Sequence, residues 1–461
     1  MNHAKPNRPL AVLLLCTGLL GVCVLLFSLP VTGDWLRKNG LQFISAQELE
    51  KTYLQKTAAK PAPRKKSVDT ASRAQLTTAE KRKLDTLRNK IQFLENFSTK
   101  DKTSLSSFFA SLSSCRDSVV HIWYYGDSQI EGDRITQDLR KLLQSRFGGS
   151  GLGYIPFADV ATYRSIELKP SASLIKQNCF THKSPKGFGF AGKVFKLNIQ
   201  DSSYQNITGL WIAPSQKFQT LSLLYGKSAG GSLRLMGKDS SLKKSIKLPV
   251  TNECGIVRLS SSPFSGNFSV ALPAETQYHG FVMDGVNGIQ VDNCGIRGHS
   301  GDGLSHIQNE VLRLQAAQLN TRLVVFHFGN NMIPYIKPGK YMDYYKKEFQ
   351  ALFSRYKRVL PGCSFLVVSS GDMGTVRNGE EQSYPYIQEF TDMLHEAAQS
   401  TDCAFFDMHA LMQKDGGILA WVKKGYANLD GHLSPAGQYR FSRILYDELM
   451  REYDIFNMMN N

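Results

Sequence analysis

Two short segments, far apart in the chain, carry the side chains that nucleophilic catalysis requires. Residues 126–129 read Gly-Asp-Ser-Gln and follow a β-like run, whereas residues 430–432 read Asp-Gly-His near the C-terminus. A serine hydroxyl becomes a nucleophile when a histidine accepts its proton and an aspartate orients the imidazole ring. A tight turn after a strand would expose Ser128 at the carboxyl edge of a sheet, where open α/β sheets bind ligands. The pattern therefore predicts acyl-transfer chemistry carried out by Ser128, His432 and Asp430.

Two further segments offer hydrogen-bond donors for the negative charge that acyl transfer places on a carbonyl oxygen. Gly298 lies in a glycine-rich segment, residues 295–301, that follows one predicted strand, and Asn331 follows another. We predict an oxyanion hole formed by the backbone N–H groups of Ser128 and Gly298 and by the Asn331 amide. The structural alternatives are that Gly298 only turns the chain and that Asn331 only caps a loop.

The elements that must position these residues alternate between strands and helices. Runs of strand character occur at 121–125, 288–294, 322–328, 364–369 and 403–407, and helical apolar spacing occurs at 135–143, 306–319, 341–360, 386–399 and 435–453. This alternation predicts a parallel sheet with helices on both faces. Between the first two of these strands, short strand-like segments separated by turns predict an inserted β-sandwich.

These patterns divide the chain into five parts. A stretch rich in proline and basic residues, 60–66, is typical of linkers and indicates a stalk. The predicted parts are a membrane anchor (1–34), a stalk (35–107), a first α/β segment (108–161), the inserted β-sandwich (162–279) and a second α/β segment (280–461).

The N-terminus predicts a membrane anchor. After Lys5 and Arg8 comes an uncharged apolar run of about 20 residues, long enough to cross a bilayer. No small-x-small cleavage site follows it, although a cleaved signal peptide remains the alternative. Because the basic flank stays on the cytoplasmic side, we expect a single N-terminal transmembrane helix and a periplasmic, extracytoplasmic catalytic part.

The charge balance favours an acidic partner. The 55 Lys and Arg residues outnumber the 39 Asp and Glu residues, for a formal net charge of +16. An anionic glycan or a membrane surface suits this excess. Nucleic acid is not expected, because the basic residues are dispersed and no nucleic-acid-binding motif occurs.

The cysteines leave two alternatives open. Of the eight cysteines, two lie in the apolar run, which leaves six at irregular spacing. An even number permits disulfides outside the cytoplasm, but buried free thiols fit equally well. No Cys or His spacing is typical of a metal site, so no metal is expected.

In this order the segments resemble the SGNH/GDSL hydrolase family. The family's first block matches residues 126–128, its glycine block matches Gly298, its Gly-x-Asn block matches 329–331, and its Asp-x-x-His block is approximated by 430–432. The resemblance covers about residues 118–160 and 287–450. It implies a flavodoxin-like three-layer fold, esterase or acyl-transfer chemistry, and neither a metal nor an organic cofactor.

The resemblance also implies a role for each site residue. Ser128 would be the nucleophile, His432 the general base and Asp430 its orienting partner, with Ser128, Gly298 and Asn331 as the oxyanion hole. One departure concerns the aspartate, which stands three residues before the histidine in the family but two before His432 here. Asp407 has the same two-residue spacing to a histidine. We favour Asp430, because the residues after His432 fit the start of the last helix.

Similar anchored envelope proteins act as O-acetylesterases or O-acetyltransferases. We therefore expect an acetylated or acidic envelope glycan as substrate, with a membrane acyltransferase as a candidate partner. Arg297 and His299 are candidates for substrate contact, and Trp211 and Tyr225 for stacking on sugars, but structural roles are the alternative for all four.

Two other functions stay open from the sequence. One is a non-catalytic glycan-binding scaffold, which the shortened Asp-x-His spacing would allow. The other is a lipase or thioesterase. An apolar substrate tunnel would favour the lipase, and a basic cleft would favour a glycan substrate.

Overall fold

The computed structural model describes residues 77–97, 102–171, 174–182, 187–198, 204–211, 218–237, 242–261, 267–337 and 340–460. The predicted membrane anchor (1–34) and the predicted stalk up to residue 76 lie outside the described residues. Within the described ranges, no helix combines the length and the apolar character needed to cross a bilayer.

Strands and helices occur as follows in these ranges. The strands are β1 (Leu94–Glu95), β2 (Val119–Gly126), β3 (Gly153–Ile155), β4 (Ile166–Pro170), β5 (Leu174–Asn178), β6 (Lys193–Leu197), β7 (Tyr204–Trp211), β8 (Thr220–Met236), β9 (Leu242–Thr251), β10 (Gly255–Ser260), β11 (Phe268–Pro273), β12 (Thr276–Asp284), β13 (Gly288–Gly295), β14 (Thr321–His327), β15 (Ser364–Val368), β16 (Gly374–Arg377), β17 (Glu380–Ser383) and β18 (Ala404–Phe406). The helices are α1 (Thr78–Arg88), α2 (Ser106–Ser111), α3 (Thr136–Phe147), α4 (Asn309–Gln318), α5 (Lys340–Val359), α6 (Ile387–Ser400), α7 (Met408–Lys414), α8 (Gly417–Lys423) and α9 (Pro435–Asn460).

A six-stranded sheet in the order β1-β18-β15-β14-β2-β13 forms the centre of the α/β part. All neighbours are parallel except β1, which pairs antiparallel with β18. Alternate side chains of β2 face opposite layers: Trp123 and Tyr125 pack with α4, α5 and α6, whereas Ile122 and Tyr124 pack with α2, α3 and α9. The sheet is therefore covered on both faces, which confirms the predicted three-layer fold.

The inserted segment forms a second sheet of ten strands, β3 to β12, with antiparallel pairing throughout. β8 is 17 residues long. Its first half pairs with β10 and β12, and its second half pairs with β9 and β11. The sheet encloses its own apolar core, which includes Leu223, Leu235, Val270 and Phe281. The predicted β-sandwich is thus one continuous sheet whose longest strand serves both halves.

The sequence pattern predicts two strands, at 218–225 and 232–235, in the region where the structure has the single strand β8. Gly230 and Gly231 lie between the two apolar stretches and adopt positive φ angles of 89° and 135°. In a sequence, two adjacent glycines between apolar stretches indicate a turn. Here they lie inside the strand, which stays paired with β9 on both sides of them.

An aromatic contact attaches the insertion to β2. The rings of Trp123 and Phe190 stack with their centroids 4.3 Å apart. The Tyr125 hydroxyl donates a hydrogen bond of 2.8 Å to the Phe190 carbonyl oxygen, and the Tyr154 ring packs edge-on against Phe190. The insertion therefore shares an apolar core with the strand that leads to Ser128.

A buried ionic cluster joins the insertion to the same strand. His121 on β2 lies 2.8 Å from Asp292 on β13 and 3.4 Å from Asp284 at the end of β12. Burial by itself lowers the pKa of His121, but the two carboxylates outweigh burial and raise that pKa to about 10. At neutral pH the ring is therefore a buried cation between two carboxylates.

Residues 77–97 pack on the α/β part, although they fall within the predicted stalk. β1 extends the central sheet, and the buried Glu448 carboxylate on α9 accepts the backbone N–H groups of Gln92, Phe93 and Leu94 at 3.0, 3.0 and 2.7 Å. This corrects the stalk prediction for these residues. The physical reason is a long-range contact that satisfies three backbone donors, which local composition does not reveal.

The six cysteines outside the predicted anchor carry free thiols, so of the two alternatives the structure shows the unpaired one. Four of them are buried, and burial raises the pKa of Cys115 and of Cys403 to about 11. These thiols therefore stay protonated at neutral pH.

We predict that the free energy of unfolding falls as the pH rises toward about 10. The folded pKa of His121 is raised above its unfolded value of about 6.5, so this contribution is complete below that pH and is lost as His121 deprotonates in the folded state. Thermal unfolding of the wild type and of His121→Gln, followed from neutral pH to about pH 10.5, measures the difference.

The matched control is His395→Gln, which removes a surface contact of 3.0 Å with Glu95. We expect the stability difference between wild type and His121→Gln to shrink with rising pH, and the difference for His395→Gln to stay small. A His121→Gln difference that does not change with pH would contradict the buried cation.

Candidate active site

The end of β2 is the point at which the order of the central sheet reverses. The consecutive strands β13 and β14 lie on opposite sides of β2, and such reversals create the ligand-binding crevice of open α/β sheets. Gly126, the last residue of β2, is level with the last residue of each neighbour. The segments that carry Ser128, Gly298 and Asn331 begin directly after these three strands. The sheet register therefore brings all three residues to one edge.

The turn after β2 requires a glycine and fixes the serine that follows. A Cβ atom on Gly126 would lie 3.0 Å from the Ile130 side chain and 3.1 Å from the His327 carbonyl oxygen. Asp127, which is 1% exposed, accepts the backbone N–H of Gln129 at 2.9 Å. These contacts leave Ser128 at the tip of a tight, buried turn.

Ser128, His432 and Asp430 form a continuous hydrogen-bonded path. The Ser128 hydroxyl donates to His432 Nε2 at 2.8 Å when the imidazole proton is on Nδ1. His432 Nδ1 then donates to Asp430 Oδ2 at 3.0 Å. The three side chains therefore have the arrangement in which the imidazole can take the serine proton.

The shortened spacing between Asp430 and His432 is accommodated by an Asx-type turn. Asp430 Oδ1 accepts the backbone N–H of His432 at 3.1 Å while Oδ2 accepts the imidazole N–H. Gly431 between them has a φ of 83°, which favours glycine. One carboxylate thus holds both the main chain and the ring of the same histidine.

Asp407 has a different role from Asp430. Its carboxylate caps α7 and accepts the backbone N–H of Ala410 at 2.8 Å. It makes no contact with His432 in the described structure. The histidine two residues further on, His409, is buried and faces Gln413 at 3.1 Å.

Gln129 holds the loop that carries the histidine, a role that no local pattern in the sequence indicates. Its side-chain amide donates to the Gly431 carbonyl oxygen at 2.7 Å, and its side-chain oxygen accepts the Leu433 N–H at 3.2 Å. The two bonds flank His432 on either side. Since Gln129 follows Ser128 directly, the turn that positions the serine also positions its histidine.

The predicted oxyanion-hole residues lie together, but their N–H donors differ in whether another group already accepts them. No hydrogen bond in the described residues uses the backbone N–H of Ser128 or of Gly298. The Asn331 amide instead donates to Asp127 at 2.8 Å and to the His299 carbonyl oxygen at 3.2 Å. Both of its N–H groups are therefore already engaged. Burial raises the pKa of Asp127 to about 6, so its carboxylate is ionised at neutral pH.

A cavity of about 720 Å³ opens over Ser128 and is lined mainly by basic and neutral polar residues. It contains three arginines and no aspartate or glutamate. Because charges of one sign concentrate the field in a cleft, this composition attracts anionic groups. The lining residues are Ser128, Arg134, Arg164, Arg297, Gly298, Asn331, Asn428, His432, Leu433, Ser434, Pro435 and Gln438.

Arg297 and His299 are separated by the structure. Arg297 lines the cavity and is 53% exposed. His299 is buried outside the lining, where its ring packs against Phe180 and Phe328 with centroids 5.4 and 5.2 Å apart. Of these two residues, Arg297 is therefore the one placed to contact a substrate in the cavity.

Of the two aromatic residues predicted as candidates for sugar stacking, Tyr225 does not line this cavity. Tyr225 is 6% exposed and belongs to the apolar core of the insertion. Trp211 ends β7, and its side chain lies outside the described structure. The structural role is therefore the one that Tyr225 has.

A second, mostly apolar pocket of about 460 Å³ adjoins the first through Asn331. Its lining includes Phe349 and Leu352 from α5, with the exposed rings of Tyr335 and Tyr344 nearby. Ser128 does not line this pocket. Among the described residues, the two cavities share Asn331 in their linings.

Comparisons with known proteins find one family model and several solved structures that are similar to this chain. Residues 271–440 match the model of the GDSL-like lipase/acylhydrolase family. The chain is similar in structure to a peptidoglycan O-acetylesterase, with a TM-score of 0.64 and 18% identity over 78% of this chain and 99% of that one. At this identity the likeness shows a shared fold. No curated protein sequence matches the chain.

Two further solved structures are similar over smaller or less well superposed parts. One is the acetyl xylan esterase AlAXEase, with a TM-score of 0.26 and 15% identity over 34% of this chain and 79% of that one. The other is a family two carbohydrate esterase from Cellvibrio japonicus, with a TM-score of 0.27 and 11% identity over 63% of this chain and 99% of that one.

We predict that a sulfonyl fluoride labels Ser128 and that Gln129→Ala slows the labelling about tenfold, because the variant loses both hydrogen bonds that flank His432. The rate of adduct formation, followed by intact-protein mass spectrometry, measures the effect. Gln144→Ala is the matched control, since it also removes a glutamine amide with two hydrogen bonds, of 3.2 Å each. Equal labelling rates in the two variants would show that Gln129 does not position the histidine.

Proposed function

Because residues 271–440 match the model of the GDSL-like lipase/acylhydrolase family and the chain has the SGNH hydrolase fold, we propose that it is a serine O-acetylesterase acting on a cell-envelope glycan. The family match supports esterase chemistry, and the substrate and the acyl-enzyme mechanism are our proposal. The observation that carries it is the hydrogen-bonded path from Ser128 through His432 to Asp430 at the edge of a basic cavity.

In the proposed reaction the Ser128 oxygen attacks the acetyl carbonyl carbon while its proton passes to His432 Nε2. Asp430 stabilises the resulting imidazolium through the Nδ1–H. The unused N–H groups of Ser128 and Gly298 face the developing oxyanion, and Asn331 can join them by sharing one of its donors. His432 then protonates the departing sugar oxygen, which leaves an acetyl group on Ser128.

The second half of the reaction decides between hydrolysis and transfer. If water attacks the acetyl-serine, His432 takes its proton and acetate is released. If a sugar hydroxyl attacks instead, the same intermediate transfers the acetyl group to a new acceptor. The exposed position of the histidine, 39% of whose side chain is accessible, gives water a route to the intermediate, so hydrolysis is the reaction that we propose.

The proposed substrate rests on the cavity and on the structural neighbour. The neighbour's name places its activity on O-acetylated peptidoglycan, and the three arginines over Ser128 here suit an acidic glycan. From the sequence we further propose that the N-terminal segment anchors the protein, that its catalytic part is periplasmic, and that a membrane acyltransferase supplies acetylated glycan.

A second candidate function is favoured by the apolar pocket beside the site. It has room for an acyl chain, as a lipase or thioesterase would need. Access to it from Ser128 leads past the Asn331 amide, which is held by Asp127 and the His299 carbonyl oxygen. A short acyl group fits the polar cavity without crossing this barrier.

We predict that Ser128→Ala lowers the rate of acetate release at least 1000-fold, on the order of the loss seen when a catalytic serine is removed. The assay is hydrolysis of p-nitrophenyl acetate and of O-acetylated peptidoglycan by the full-length protein. Ser113→Ala, at an exposed serine, is the matched control. Equal rates in wild type and Ser128→Ala would reject the proposal and favour the non-catalytic scaffold.

We also predict that p-nitrophenyl acetate is hydrolysed more efficiently than the octanoate ester, about tenfold or more in kcat/KM, because the long chain cannot reach the apolar pocket directly. A series of esters of increasing chain length measures this preference. Higher efficiency with octanoate would establish the lipase alternative, and enlarging the pocket mouth with Met332→Ala would then raise it further.

A further inference from the structure

We propose that Arg164, together with Arg134 and Arg297, forms an anion-binding subsite that receives a carboxylate on the sugar whose ester is cleaved. The proposal rests on the proposed function, since it names the substrate class of the same cavity. It adds a specificity site that lies partly on the inserted segment. All three arginines line the cavity that contains Ser128.

Each arginine is held by a different neighbour. Arg134 donates to the Ser128 carbonyl oxygen at 2.7 Å, and Arg164 donates to the side-chain oxygen of Gln438 at 2.6 Å. Arg297 contacts the carboxylate of Glu131 at 2.8 Å. Each guanidinium group therefore has a hydrogen-bond partner that restricts it before a ligand arrives, which reduces the entropy lost on binding.

The charge of the cavity is not balanced by its own lining. Arg134 and Arg164 bind neutral oxygens and form no ion pair within the described residues. Glu131 is fully buried and forms an ion pair with Arg297. Asp138 on α3 interacts electrostatically with Arg164 but forms no ion pair with it. Two positive charges beside the nucleophile thus remain without a carboxylate partner.

The chemistry of arginine defines the ligand. A guanidinium presents planar, parallel N–H donors that match the two oxygens of a carboxylate. The acetyl ester carries no charge in its ground state, so a carboxylate elsewhere on the substrate is the group that these arginines would pair with. A carboxylate on the same sugar or on an adjacent one would orient the acetyl group toward Ser128. The predicted substrate is therefore an O-acetylated acidic sugar, such as a uronic acid.

Of the three arginines, Arg164 is the one chosen to test the subsite, because its side chain is not hydrogen-bonded to a catalytic residue. Its hydrogen bond goes to Gln438 and to neither Ser128 nor His432. The test compares acetate release from O-acetylated galacturonide and galactoside oligosaccharides, which differ in one carboxylate per sugar. The variants are Arg164→Gln, Arg164→Lys and, as the matched control, Arg116→Gln. Arg116 is exposed and precedes β2, so it lies at the opposite end of this strand from Ser128.

We expect the wild type and Arg116→Gln to prefer the galacturonide. Arg164→Gln should reduce the ratio of kcat/KM values for the two substrates about tenfold, chiefly through KM, and Arg164→Lys should restore part of it. Increasing salt should weaken the preference of the wild type, as expected for exposed charges. An unchanged ratio in Arg164→Gln would overturn the subsite and leave the esterase proposal intact.

A binding measurement separates the two proposals. The affinity of the Ser128→Ala variant for deacetylated galacturonide and galactoside oligosaccharides is measured by calorimetry, with and without Arg164→Gln. Preferential binding of galacturonide that depends on Arg164, without any acetate release by the wild type, would support the subsite and reject the esterase. Equal binding of both sugars would reject the subsite.

Discussion

The hydrogen bond between the Ser128 hydroxyl and His432 Nε2 joins two segments on either side of a large insertion, and the site depends on its length of 2.8 Å. Three devices hold that distance. The register of β2 against its neighbours fixes the serine, the Gln129 side chain fixes the main chain on both sides of the histidine, and Asp430 fixes the ring. Each device acts on a different degree of freedom, so the serine and the histidine meet without relying on a flexible loop.

The charged groups of the site fall into a buried set and an exposed set. On the buried side of the turn that carries Ser128, the Asp127 carboxylate binds Asn331 and the Gln129 backbone and is shielded from solvent. On the solvent side, arginines face the open cavity. A buried acceptor keeps the donors of the turn in place, while exposed guanidinium groups are available to substrate. Buried polar residues thus hold the serine, and a separate set of exposed residues is available to recognise a ligand.

Regular, local patterns made much of the fold predictable. The five parallel strands and the helices between them follow from apolar periodicity, and Ser128, Gly298 and Asn331 could be proposed because each follows a strand. Features that depend on distant contacts were not predictable. Gln129 looks like any turn residue until its two bonds to the loop of His432 are seen, and β1 is recognisable only through its pairing with β18 and its contact with Glu448. In β8, glycines typical of a turn lie within a continuous strand.

The insertion bears on how such a protein can change over time. It covers the Trp123 face of β2, places Asp284 beside the buried His121 cation, and contributes Arg164 to the cavity. Deletion of the insertion would therefore expose an apolar face of the strand that leads to the nucleophile and remove one carboxylate beside His121. It would also remove an arginine from the cavity. Stability and specificity are thus encoded in one segment. A lineage could remodel the outer strands of this sheet freely, but it could not discard the module, or exchange it wholesale, without rebuilding the catalytic half of the molecule.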